Sequence, residues 1–108
     1  MEFLNKIELR GVVGRSNFTN CGPTKFCSFS LVTEYCYKGN DGCVVVDTMW
    51  IQITACGPKP GWPDLDTIQK GSKVHVTGRL RCRRFTDSEG CDRQCWDVVA
   101  QTLELIGE

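Results

Sequence analysis

Apolar and polar residues alternate with a period of two over most of this chain, and that alternation commits it to half-buried β-strands. In "NKIELRGVVG", Ile7 and Leu9 alternate with Lys6, Glu8 and Arg10 before the chain reaches Gly11 and Gly14. The pattern predicts a first strand that bends at glycine, as a strand curling into a small barrel must. "GPTKFCSFSLVTEYCYKGNDG" predicts a second strand from about Lys25 to Tyr37, rich in β-branched and aromatic residues and closed by a hairpin signal. "VVVDTMWIQITAC" predicts a third, with Met49, Ile51, Ile53 and Ala55 on the core face and Trp50, Gln52, Thr54 and Cys56 on the other.

The alternation breaks at "GPKPGWPD", which holds three of the four prolines and reads as a loop. "DLDTIQKG" predicts one short helix, with Asp64 or Asp66 as N-cap, Leu65 and Ile68 on one face, and Gly71 as the stop. Period two returns in "SKVHVTGRLRCRRF". It places Val74, Val76, Leu80 and Cys82 inward, and Lys73, His75, Thr77, Arg79, Arg81, Arg83 and Phe85 outward. "TDSEG" turns the chain into a fifth strand that ends near Ile106. Five short strands with glycine bends and a short helix between the third and fourth predict an all-β OB-fold, a Greek-key barrel often used to bind oligonucleotides. A partly open barrel leaves strand edges, and the apolar first strand can cover its own by pairing with a second copy, so a homo-oligomer is expected.

The 108 residues suffice for one domain and one core. No apolar run approaches the ~18 residues of a membrane span, and the opening "MEFLNKIELRG" lacks the pattern of a secretory signal, so a cytoplasmic protein without a membrane role is expected. The eight cysteines include no C-x-x-C pair; their closest spacing is Cys91 to Cys95. They read as reduced packing thiols, with a cross-strand Cys82–Cys95 disulfide, a redox sensor or a zinc site as alternatives. His75 is the lone histidine, with no nucleophile matched to it by spacing, and phosphate-loop and dinucleotide motifs are missing. No enzymatic activity, cofactor or metal is expected.

A formal net charge of zero conceals a local concentration: four of the six residues from Arg79 to Arg84 are arginine, and Arg93 lies across the turn. Guanidinium forks bind phosphate oxygens and stack on bases, so an arginine row can track a nucleic-acid backbone. The competing reading is a solvated face whose arginines pair with Asp87, Glu89, Asp92 and Asp97. Phe85 continues the outward arginine parity, and Trp50 occupies the polar face of the third strand. Rings placed there can stack bases of any sequence, or else pack under a loop or in a subunit interface. Tyr35 and Tyr37 lie close to a hairpin tip, where parity does not decide their direction. Trp62 reads as a cap on the barrel and Trp96 as a packing residue.

The segments "LNKIELRGVVGR", "FSLVTEYCYKGNDG", "DTMWIQITACG" and "IQKGSKVHVTGRLRCRRFTDSEGCDRQCWDV" together resemble bacterial single-stranded DNA-binding proteins over nearly the whole chain. The resemblance implies an OB-fold assembled as a dimer or tetramer. It also implies binding of single-stranded DNA without strong sequence preference, in replication, recombination or repair. By the same resemblance Tyr37, Trp50 and Phe85 fall on stacking aromatics, and Cys56 falls where another aromatic is common. Lys6, Arg10, Arg15, Lys38, Lys73, Arg79, Arg81, Arg83 and Arg84 become candidate phosphate contacts. RNA stays open as a ligand, because stacking and phosphate contacts do not distinguish the sugars. The chain ends at "LELIGE" without the long polar tail and acidic tip of typical members, so no tail-mediated recruitment of partners is expected. A tail-less paralogue, a primosomal PriB-like protein, a mobile-element copy and a truncated chain all fit that ending. The alternative function is an OB-fold protein-interaction module with weak or no nucleic-acid binding.

Overall fold

The computed structural model describes residues 2–106; Gly107 and Glu108, the end of "LELIGE", lie outside the described residues. Five strands form a closed barrel: β1 Ile7–Cys21, β2 Thr24–Lys38, β3 Val44–Gly57, β4 Lys73–Thr86 and β5 Asp92–Leu105, in the order β1-β2-β3-β5-β4. Neighbours run antiparallel except at one seam. There β3 and β5 pair in parallel through only Ile53 with Val98 and Thr54 with Val99. The barrel is thus closed, which corrects the expectation of an open one.

β1 serves two neighbours, pairing with β4 from Ile7 to Val12 and with β2 from Val12 to Cys21. A strand that passes from one partner to the next must coil sharply, and glycine permits it. A Cβ at Gly11 would sit 2.2 Å from the Val32 carbonyl oxygen. At Gly14 the register with β2 slips by one residue, so Arg10 before the bulge and Arg15 after it both point outward despite their odd spacing. A second slip lies between Thr77 and Gly78 in the β4–β5 ladder.

The interior is filled by Val13, Phe29, Leu31, Ile53, Ala55, Val74, Val76, Val98, Ala100 and Leu103, the inward residues of all five strands. Cys27 is buried among them, and burial pushes its thiol up to about 11, so it behaves as a small apolar group. Leu65 and Ile68 close one end of the core, as the spacing predicts. The expected helix that carries them is only a single 3-10 turn, Leu65–Thr67, capped by Asp64 through its bond from the Asp66 N–H. Trp62 is half-buried against the same core, with the Lys59 ammonium 5.0 Å above its ring.

Two double-stranded ribbons extend past the barrel, one from β2–β3 and one from β4–β5. Where the strands leave the barrel the expected inward residues are only partly covered: Met49 and Leu80 are exposed and Cys82 is half-buried. The β4–β5 register also rules out the Cys82–Cys95 disulfide: Cys82 faces Trp96 and Arg83 faces Cys95, so the two thiols lie on opposite faces. All eight cysteines are free.

Candidate nucleic-acid interface

The outer face of β2 and β3 carries the even-numbered residues of both strands, paired as Val32 with Trp50, Ser30 with Gln52, Ser28 with Thr54 and Phe26 with Cys56. Beyond the bulge, β1 adds Arg15, Asn17 and Thr19 opposite Ser30, Ser28 and Phe26. The result is a polar groove of about 480 Å³ lined by Gly14, Arg15, Asn17, Ser28, Ser30, Trp50, Gln52 and Lys70. Trp50 forms one end of it and is 65% exposed. Its indole rests on the bulge, where a Cβ at Gly14 would come within 2.5 Å of the ring. Gln52 donates from Nε2 to the Ser28 hydroxyl and ties β3 to β2 beneath the groove.

The same face continues across the seam onto β5 and β4. Thr54 donates its hydroxyl to Asp97 Oδ2 at 2.8 Å, and Arg81 grips the same carboxylate with both ends of its fork, at 3.0 and 2.7 Å. Arg83 approaches at 3.7 Å. Asp97 is completely buried by these neighbours. Burial alone would push its carboxyl up. The hydrogen bonds from Arg81 and Thr54, with the charges of Arg81 and Arg83, outweigh that and hold it below the usual carboxylate range. From there Arg83 and Phe85 run along the β4–β5 ribbon on one face, opposite Cys95 and Arg93, and Phe85 is 52% exposed. Trp50 and Phe85 therefore stand on one continuous outer surface.

The remaining expected residues are distributed more widely. Arg79 shares the face of Arg81 and Arg83, whereas Arg84 points to the other side of the ribbon with Cys82 and Trp96. Neither Arg79 nor Arg84 has a carboxylate partner among the described residues, while Arg93 is held by Asp87 at 2.8 Å. Lys38 lies on the Trp50 face near the tip of the β2–β3 ribbon. Tyr37 lies on the opposite face beside Tyr35, the two rings 6.1 Å apart. Arg10 and Lys73 belong to the β1–β4 ladder with His75, outside the groove, and Lys6 is exposed just before β1. His75 Nε2 is 2.7 Å from Glu8. Lys70, Asn17 and the serines of β2 were not singled out from the sequence, since only the bulge and the strand register bring them together. No group of three or more His, Cys, Asp or Glu residues able to hold a metal occurs among the described residues.

Comparison with known proteins supplies the family. Residues 4–106 match the model of the single-strand binding protein family. The chain belongs to that family. As a member of the single-strand binding protein family it has relatives in Neisseria meningitidis, 29% identical over 106 residues, and in Xanthomonas axonopodis, 30% identical over 107 residues. Each of these is a single-stranded DNA-binding protein. The chain spans only about 60% of the length of these relatives, although they cover 96% of it. The fold is that of the Plasmodium falciparum single-stranded DNA-binding protein solved with single-stranded DNA, with a TM-score of 0.78, 23% identity and coverage of 99% and 98% of the two chains. Among the described residues no helix is long and apolar enough to cross a membrane.

Proposed function

We propose that this chain binds single-stranded DNA without catalysis, stacking bases on Trp50 and Phe85 while arginines of β1 and β4 draw in the phosphates. The observation that carries the reading is the pair of exposed rings on one continuous polar surface. Leaving them in water forfeits apolar burial, and a base that covers either ring recovers it. The names of the family and of its relatives point to the same ligand. Arg83, Arg79 and Arg15 are the proposed phosphate contacts on this surface, with Arg84 and Lys38 at its margins. Arg81 acts differently: its fork is filled by Asp97, so it sets the shape of the row. Tyr37 is proposed as a stacking group only for a strand that wraps around the β2–β3 ribbon, because it lies on the reverse face from Trp50. Arg10, Lys73 and Lys6 would meet only a strand that continues onto the β1–β4 ladder. This reading also covers a cytoplasmic, nucleoid-associated protein that protects DNA strands during replication or repair.

Tryptophan fluorescence titrated with oligo-dT at low and at high salt tests the proposal. Quenching that Trp50→Ala removes and salt reverses is the expected result. Each neutralised phosphate contributes about 0.7 to the slope of log affinity against log salt. Absence of quenching and of binding at low salt overturns it. The alternative, a protein-interaction module, draws on the exposed Tyr35, Tyr37 and Met49 of the reverse face. It predicts that failure together with self-association. Pairing of two copies is part of both readings: Ile7 to Leu9 pair with β4 on one edge, and their ladder with β2 begins only at Val12.

A further inference from the structure

The outer face holds a third exposed ring that neither the alternation nor the family resemblance singles out. Phe26 lies on β2, six residues along the ladder from the Val32–Trp50 pair, which separates it from Trp50 by about 20 Å. It is 38% exposed, whereas Ile51 and Trp62 are half-buried against the core. Its cross-strand neighbours are Thr19 on β1 and Cys56 on β3, both small side chains that leave part of the ring open. More than a third of this aromatic side chain is left to solvent, on a face that also carries the polar Ser28, Ser30, Gln52 and Thr54.

The surface between the two rings is suited to a nucleotide chain. Arg15 and Lys70 line the groove from one side, and Asn17, Ser28, Ser30 and Gln52 provide hydroxyl and amide groups along its floor. We propose that Phe26 is a further base-stacking platform, so that a bound strand runs from Trp50 along the β1–β2–β3 groove and places a base on Phe26 at its far end. The proposal rests on the single-stranded DNA reading and adds an arm to the path that joins Trp50 to Phe85. The small Cys56 side chain leaves the ring open on its β3 side, so the two positions together present a single platform, supplied by β2.

The test measures oligo-dT of about sixteen nucleotides, the upper site size of one such fold, against the wild type, Phe26→Ala, Phe26→Tyr and Phe26→Trp. Phe26→Ala is expected to weaken binding at least about fivefold when measured well below its own thermal midpoint, and Phe26→Tyr to retain wild-type affinity. Phe26→Trp reports directly: its added fluorescence should be quenched by DNA beyond the wild-type fraction. This variant keeps the test decisive if Phe26→Ala fails to fold. Wild-type affinity in Phe26→Ala, or added Phe26→Trp fluorescence that DNA leaves unquenched, overturns the Phe26 platform while the single-stranded DNA reading stands. Failure of the wild type itself to bind overturns that reading and the platform with it.

Discussion

Asp97 illustrates what a single residue does here and why the sequence conceals it. It is one acid among several near the arginines, and only the strand register shows that it sits opposite Arg81 and within reach of Thr54 on another strand. Trp50 and Phe85 were legible because parity alone sets the face of a ring, whereas choosing Asp97 among the neighbouring acids needs the hairpin register, and its bond from Thr54 needs a strand 43 residues away. With its folded value depressed, Asp97 adds stability that is complete above the ordinary carboxylate value of 3.8 and is lost as pH falls from there through the folded value. Asp97→Asn is expected to cost about 2 kcal/mol at neutral pH, as for a hydrogen bond to a charged group, and to flatten the acid limb of the stability profile. Urea denaturation of both proteins between neutral and acid pH measures this. A parallel acid limb in the variant would assign the pH dependence to other carboxylates.

At the level of elements, alternation succeeded inside the barrel and failed where strands leave it. Val74, Val76, Ile53 and Ala55 are buried as the period requires, but Met49 and Leu80 share that parity and stand exposed where the strands leave the barrel. A period reports which side a residue takes; whether anything covers that side depends on the neighbouring strands. The short helix shrank to one turn because Ile68 already has extended backbone, leaving the Asp64 cap to organise three residues. The Gly14 bulge was visible as a glycine, though its contact with Trp50 was not. Gly14 has no positive φ, so alanine is tolerated by the backbone, and its methyl group must displace the ring. Gly14→Ala is therefore expected to weaken single-stranded DNA binding several-fold while the melting temperature moves little. Calorimetry beside the oligo-dT titration checks both halves, and intact binding would show that the indole has another resting place.

For the molecule as a whole, zero net charge coexists with a divided surface. Among the described residues Arg79 and Arg84 have no carboxylate partner, while Arg81 and Arg93 are held by Asp97 and Asp87. Composition gave no hint of that division, since it sums over a surface that the fold sorts by face. The first-strand edge, by contrast, was expected from the sequence, and the ladders locate its uncovered side before Val12, which carries the expectation of self-association. Light scattering at micromolar protein should give at least twice the 12.1 kDa chain mass, and a monomer across that range would remove the pairing. The closing seam has a kinetic consequence as well. Each hairpin joins strands adjacent in the chain, whereas the β1–β4 ladder and the seam are both long-range, and the seam brings together Thr54 and Asp97, 43 residues apart, for only two paired residues. Loop closure of that length is rewarded late, so the ribbons zip first and the barrel shuts last. The Thr54–Asp97 bond is then a late-forming contact, whereas Arg81 and Asp97 meet within the β4–β5 ribbon, so Thr54→Val should quicken unfolding while refolding keeps its pace.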